Sequence, residues 1–548
     1  MAKDRSGSAS FSGRTACAVA VIVLLGAYVR FFGLGSHSLW ADEFATWHVS
    51  RMPPGASLQW GPELTKPPLY QFTLRAITDD PRPPEWVLRL PAAVAGTLTI
   101  VAAFALGAAG GGWIAGFSLA SLVAFNVMQI EYSQQARSYS MLVAGATLST
   151  HLWHRLVREA SWLMAVLYVA AAAATVHAHY LMALVILAHA VWWAASLAAG
   201  LSVHPYQPAV AGRQTFSFRQ EGTEGGCSQD NWKPVTALVG VGVLCTPILI
   251  HYLRFRTSTF QGLGWIPAAS LGTALRVLGE ISFGPVWIVV LAISIVGWVA
   301  AAVVSAKRRR AACANSRALF GGPQDICGLL LAWLFCSWFG LLIISWFAHP
   351  AMVNRYAIAA SVPALMFPLV LAHRIDARLA VALALTFSAW GAHRWAEDRL
   401  EVEPGFRELS QYLSETVDPQ RDAVVLTIDL RTHPEWADFE GLSFDYYPIR
   451  VKREPAAVTG RGTQPDENPI EVEPRELRLG PDGVTPLDPE VLRDPRRLYM
   501  VVLWADPFEI LKRAGREPEP FWFDDQSYSQ LLFSPYRLVK VAPQRPAD

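Results

Sequence analysis

Apolar and polar positions divide this chain into two unlike parts. Up to about residue 395, long apolar runs recur at 15–33, 86–107, 113–130, 138–153, 162–177, 180–200, 234–252, 281–304, 326–347, 355–373 and 378–394. A hydrocarbon core about 30 Å thick needs roughly 20 apolar residues per helix, so these runs predict about eleven transmembrane helices. Beyond residue 395 no spanning run occurs. There, FRELSQYLSET has the period of an amphipathic helix, AVVLTID and LYMVVLWAD read as strands, FEILKRAG as a helix and YRLVKVA as a last strand. Short strands alternating with helices predict a small α/β domain. Residues 453–497, rich in Pro, Glu and Arg, read as a long irregular insertion. The expected organisation is a cytoplasmic N-terminus 1–14, an α-helical polytopic membrane domain 15–394 with a first outward loop 34–85, and a soluble extracytoplasmic domain 395–548.

Loop charge sets the orientation, because cytoplasmic loops collect Lys and Arg. With the N-terminus inside, the inside loops are 154–161, 201–233, 305–325 and 374–377, and the clearest basic cluster, Lys307 to Arg310, falls among them. Loops 34–85, 131–137, 177–180, 253–280 and 348–355 are then outside, and an odd number of spans puts the tail outside as well. The first apolar run follows a mildly basic stretch without a small-residue cleavage site, and reads as a retained helix.

Composition agrees with a membrane protein. Charged residues make up 17% of the chain, against about 25% in soluble domains. The net charge of +1, with no basic stripe interleaved with aromatics, gives no footprint for nucleic acid. Cys17, Cys227, Cys245, Cys313, Cys327 and Cys336 lack zinc-type spacing and fall in spans or inside loops, which argues against a disulfide framework. No Walker loop, GxSxG or HExxH is present. Gly110-Gly111-Gly112 reads as a short inside turn.

The polar clusters that remain all fall at outside ends of helices. Charge is costly in a bilayer, about 2.5–3.5 kcal/mol at mid-helix, so a set of charges gathered on one side suggests a use. Asp42 and Glu43 follow the first span, and Phe44, Trp47, His48 and Arg51 suit a helix lying along the interface. Lys66 precedes a stiff Pro67-Pro68 turn. Arg137 with Tyr139, and Arg355 with Tyr356 and Asn354, pair a guanidinium with a phenol, a combination that suits phosphate oxygens. His177, His179 and Tyr180 form a polar knot between two apolar helices, where a divalent metal is conceivable. Each cluster has a plain structural alternative. The acids suit a helix N-terminus, the arginines suit snorkelling to headgroups, and Asp79-Asp80 suit a loop before a helix.

In order along the chain, Asp42-Glu43, Lys66-Pro67-Pro68-Leu69-Tyr70, Leu88-Arg89-Leu90-Pro91, Gln135-Ala136-Arg137-Ser138-Tyr139, His179-Tyr180 and Arg355-Tyr356 resemble the bacterial GT-C glycosyltransferases related to protein O-mannosyltransferases and aminoarabinose lipid A transferases. The resemblance spans residues 15–394. It implies a bacterial inner-membrane enzyme that moves a sugar from a polyprenyl-phosphate donor to a hydroxyl on a lipid, glycan or protein, at the outer side and with no required cofactor. It also implies that Asp42 is the general base and that Arg137 and Arg355 hold the lipid phosphate; in such a mechanism Lys66 is a candidate third cation, and Glu43 a catalytic candidate that orients the acceptor or Asp42. Two departures from the family pattern are Lys66, where many relatives have His, and Ser138, where Pro is usual. The competing functions are a secondary transporter, which would place charges near mid-membrane and carry repeats, and a non-catalytic scaffold presenting the tail.

Overall fold

The computed structural model describes residues 13–57, 67–198, 232–261, 266–311, 326–398, 405–429, 443–451 and 469–541, the last stretch with gaps at 480–485, 487, 504–506, 515, 524–525, 529 and 534–535. Lys66, Cys227, Cys313 and most of loops 201–233 and 305–325 lie outside the described residues.

The helical part runs α1 Gly13–Phe31, α2 Ala41–Arg51, α3 Pro54–Ser57, α4 Leu69–Ile77, α5 Glu85–Phe125, α6 Val127–Ser133, α7 Tyr139–Glu159, α8 Trp162–Ala178, α9 Met182–Ala198, α10 Trp232–Gln261, α11 Leu271–Glu280, α12 Gly284–Ala311, α13 Ile326–Leu334, α14 Gly340–Phe347, α15 Asn354–Ala357, α16 Ser361–Ile375 and α17 Ala377–Asp398. The eleven apolar runs fall on helices but not one to each: 86–107 and 113–130 share α5, the latter running on into α6, and 326–347 and 355–373 each cover more than one helix. Among the described residues, five helices meet both the length and the hydropathy needed to cross a bilayer, and three apolar helices of 17 residues are shorter.

α5 is a hairpin. Its backbone leaves the helical region at Gly111 and Gly112, the latter at φ 73° and ψ −172°, a region open almost only to glycine. The two arms then run side by side so closely that a Cβ on Gly107 would sit 2.8 Å from the Ala115 carbonyl oxygen. This is the turn expected at Gly110-Gly111-Gly112. The second arm stops at Phe125 rather than near residue 130, because Asn126 leaves the helix and caps α6 by accepting from the Gln129 N–H at 3.0 Å. Part of the expected loop 131–137 is therefore the end of α6. In α5's first turns Pro91 disturbs the hydrogen-bond ladder, and the buried Tyr70 hydroxyl donates to the Leu88 carbonyl there at 2.8 Å.

The tail begins with α18 Phe406–Thr416, followed by β1 Asp422–Asp429, β2 Ile449–Val451, β3 Ile470–Val472, β4 Arg475–Leu479, β5 Arg497–Leu503, a helix Pro507–Arg513, β6 Pro518–Glu519, β7 Phe521–Phe523, β8 Gln526–Tyr528, β9 Leu531–Phe533 and β10 Tyr536–Val541. The main sheet has the order β4-β1-β5-β10-β6. β4 and β5 flank β1 in parallel, and β10 is antiparallel to β5. The insertion 453–497 is thus not wholly irregular. Its alternating stretch Arg475–Leu479 buries Leu477 and Leu479 and pairs with β1, which composition alone concealed.

Period-two alternation gives this sheet two apolar faces. Ala423, Val425, Leu498, Met500, Val502 and Val539 pack on Ile510 and Leu511. Val424, Leu426, Tyr499, Val501 and Leu538 face the other way and share one core with Phe406 and Leu409 of α18 and with Leu39, Phe44, Trp47, Tyr70 and Leu88 of the helical part. The apolar face of α2 is thus turned to the tail. Phe44 and Trp47 are each 1% exposed, covered by the tail rather than by lipid. An apolar helix face suits either partner, so the sequence pattern does not distinguish them.

Candidate active site

α2 carries the acidic pair. Trp40 precedes the helix as its N-cap, leaving Asp42 and Glu43 in the first turn, where the exposed N–H groups favour negative charge. Successive helical residues point about 100° apart, and the two carboxylates meet different surroundings.

Glu43 points inward and is fully buried. Arg89 of α5 grips it with two parallel bonds, Nε to Oε1 at 2.8 Å and Nη2 to Oε2 at 2.7 Å. The Ala136 N–H donates to Oε1 at 2.6 Å, and the Trp40 N–H to Oε2 at 3.3 Å. Four donors occupy the carboxylate, which ties α2 to α5 and to the turn before α7. These four bonds enclose the Glu43 carboxylate, which does not share the surroundings of Asp42. Arg89, singled out earlier only as part of a motif, is the counterion of Glu43.

Asp42 points to the other side, with its side chain 17% exposed. Its Oδ2 lies 3.1 Å from Nη1 of Arg355 and 3.9 Å from Nη2 of Arg137. Arg137 is fixed as well by donating through Nη1 to the Asp42 carbonyl and to the Thr46 hydroxyl, both at 2.9 Å. Thr46, 1% exposed, is a site neighbour that sequence reasoning missed, though it lies one turn beyond Asp42. Arg355 opens α15, where its N–H donates to Asn354 Oδ1 at 2.7 Å and the Tyr132 hydroxyl donates to the same oxygen at 3.2 Å. Three chain segments more than 90 residues apart thus place two guanidiniums around one carboxylate.

Aromatic rings wall this group. Tyr139 packs on Tyr132 at 5.0 Å and on His179 at 5.4 Å between ring centroids, and His179 lies 6.4 Å from Tyr356. The structure therefore brings together Asp42, Arg137, Tyr139, His179, Asn354, Arg355 and Tyr356. Two expected members stand apart. His177 bonds back through Nδ1 to the Ala173 carbonyl of its own helix, and Tyr180 packs on Tyr252 of α10. Position i, i+2 across the end of α8 turns His177 and His179 to different sides. Among the described residues, no group of three or more His, Cys, Asp or Glu gathers as for a metal ion.

An apolar cavity of about 410 Å³ lies between α4, α5, α7 and α8. Leu69 and Ile77 of α4, Pro91 and Leu98 of α5, Met141 of α7 and Ala178 of α8 line it. At the other end of α2, a polar cleft of about 230 Å³ is edged by Arg51, Arg75, Asp79 and Asp80. Asp80 there holds the loop, accepting from the Arg82 N–H at 2.8 Å, as its loop reading expected.

The tail reaches the site end of the bundle through polar bonds as well as the shared core. Arg407 of α18 bonds Glu85 Oε1 at 2.9 Å, and the Tyr447 hydroxyl donates to the same oxygen at 2.7 Å. Burial pushes the Tyr447 phenol well above its usual range, and the Glu85 carboxylate adds to this, so it stays a neutral donor. Burial works against the Arg407 charge, but Glu85 and Glu408 outweigh it.

No protein-family model and no curated protein matches the sequence. Solved structures do match in three dimensions. The apo crystal structure of ArnT from Cupriavidus metallidurans is 13% identical, covers 97% of this chain and 100% of its own, and superposes with a TM-score of 0.51. The same protein bound to undecaprenyl phosphate aligns over 98% of this chain and 100% of its own at 12% identity, with a TM-score of 0.38. The oligosaccharyltransferase AglB of Archaeoglobus fulgidus, in complex with an inhibitory peptide and a dolichol-phosphate, is 10% identical, covers 78% of this chain and 64% of its own, and has a TM-score of 0.43. Five helices among the described residues are long and apolar enough to cross a bilayer, and together with the full-length match to the first of these they make this chain a multi-pass membrane protein with an ArnT-like fold.

Proposed function

We propose that this protein transfers a sugar from a polyprenyl-phosphate donor to a hydroxyl acceptor, at the extracytoplasmic face of a bacterial inner membrane. The observation that carries the reading is the convergence of Arg137 and Arg355 on Asp42 in the first turn of α2. An isoprenoid tail suits the apolar cavity between α4, α5, α7 and α8. A phosphate at its head suits two guanidiniums, whose forked donors match phosphate oxygens. Tyr139, Tyr356 and Lys66 are further candidates for the phosphate, and His179 and Asn354 line the same space.

In this reading the acceptor oxygen attacks the anomeric carbon while Asp42 takes its proton. The carbon–phosphate-oxygen bond breaks, and the electron pair leaves with the lipid phosphate. Arg137 and Arg355 stabilise the charge that develops there, so they supply what a metal would otherwise bring. Single displacement inverts the anomeric centre. Proton abstraction by a positioned carboxylate contributes about 10²–10⁴-fold.

The test is transfer from a panel of radiolabelled polyprenyl-phosphate sugars to membrane extracts and defined acceptors. Wild type is expected to release the polyprenyl phosphate and label an acceptor, and Asp42→Asn to lose about 10²–10⁴-fold of that rate. Full transfer by a well-inserted Asp42→Asn protein sinks the assignment.

A further inference from the structure

The segment 34–39 joins α1 to α2 and so sets where α2 begins. Its backbone carbonyls are taken one after another by two arginines, one from the helical part and one from the tail. Arg89 of α5 donates to Leu34 O at 2.9 Å, His37 O at 2.9 Å and Ser38 O at 3.0 Å. Arg407 of the tail donates to Gly35 O at 3.1 Å and Ser36 O at 2.5 Å. The next residue's N–H, at Leu39, donates to the Tyr447 hydroxyl at 3.1 Å. Glu85 closes the set by accepting from both Arg407 and Tyr447. A loop is ordinarily the easiest segment to displace, yet here five successive carbonyls and the following N–H are held. The rings of Phe406, Tyr446 and Tyr447 meet Phe44 edge-on at 5.9–6.0 Å between centroids, two residues beyond Asp42.

We infer that Arg407 and Tyr447 of the tail domain are positioning residues for Asp42: together with Arg89 they clamp the segment 34–39 and hold the start of α2, so the tail is part of the catalytic apparatus. The inference rests on the proposed role of Asp42. The physical basis is that catalysis needs reacting groups in near-attack geometry, and a displacement of about 1 Å costs as much as 10²-fold. Neither tail residue touches the space between Asp42, Arg137 and Arg355, so each acts through α2.

Two readouts test it, one independent of activity. Hydrogen exchange of the full-length protein in detergent is compared for wild type, Arg407→Ala and Tyr447→Phe. The variants are expected to exchange faster at the amides of residues 39–44, with β1 and β5 unchanged. In transfer assays, kcat is expected to fall about tenfold for Arg407→Ala and less for Tyr447→Phe, with the donor KM within about twofold, since misplacement of the base rather than loss of binding is the defect. Arg407→Lys, which keeps charge but not the fork, is expected to recover only part of the rate. Unchanged exchange at 39–44 overturns the clamp. Loss of protection throughout the tail sheet with kcat and KM moving together overturns positioning in favour of a plain folding role. Tyr447→Phe keeps the ring packed, so it decides the matter if Arg407→Ala fails to fold. If Asp42→Asn keeps full activity, the functional reading fails while the exchange arm still judges the clamp.

Discussion

Replacing Glu43 with Gln removes one charge from a pair that has almost no solvent around it, since the side chains of Glu43 and Arg89 are 0% and 5% exposed. Breaking a buried ion pair costs about 3–5 kcal/mol, because the remaining charge is left uncompensated. Glu43→Gln is therefore expected to lower the apparent Tm of the detergent-solubilised protein markedly, followed by tryptophan fluorescence. Asp42→Asn is expected to leave Tm close to wild type, because that carboxylate reaches solvent and Arg137 keeps its bonds to the Asp42 carbonyl and the Thr46 hydroxyl. Equal losses of Tm would contradict the division of labour between the two acids. Sequence alone showed both acids and both site arginines. It did not show which acid faces inward, since that depends on Arg89, 46 positions away, and neighbouring residues of one type carry no mark of their partner.

The hairpin of α5 turns on Gly112. Alanine there must adopt φ 73° and ψ −172°, a conformation that costs a residue with a Cβ about 1–3 kcal/mol. There is open space around the added atom, so the cost is backbone strain alone. Gly112→Ala is expected to reduce thermal stability by that amount, without altering the donor KM, and a neutral result would contradict the turn geometry. Such a turn was legible, because three glycines between apolar runs have few other uses. The runs themselves were legible because a bilayer demands length. What was hidden was the partner of each apolar face. Phe44 and Trp47 have the same spacing whether they meet lipid or α18, and Arg475–Leu479 lay within a charged, proline-rich stretch whose pairing with β1 depends on a distant strand. Nothing near Arg407 in sequence announces Gly35 or Ser36, some 370 residues earlier.

At the scale of the whole molecule, a single apolar core crosses from the bundle into the tail, so the integrity of the tail sheet bears on the position of α2. The sheet has its own acid-sensitive point. Asp494, with its side chain 5% exposed, bonds Arg496 at 2.8 Å and Arg475 at 2.6 Å, joining the approach to β5 with the start of β4. The Arg496 side chain, helped by its N–H and by Arg475, holds the Asp494 carboxyl below its ordinary range despite burial. A carboxyl whose folded value is depressed contributes stability that is present above its unfolded value, about 3.9, and is lost as pH falls through the folded one. Between about pH 5 and 8 this contribution is therefore constant, and below about pH 4 it declines. Limited proteolysis of the purified protein is expected to show the tail becoming cleavable as pH drops below that point. Asp494→Asn cannot change charge, so its tail is expected to be weaker at neutral pH and to lose part of the acid dependence. Because the tail holds residues 35, 36 and 39, acid loosening of the sheet should also raise amide exchange at the start of α2. Exchange there that stays constant while the tail becomes cleavable would separate the two, and would confine the influence of the tail to its own fold.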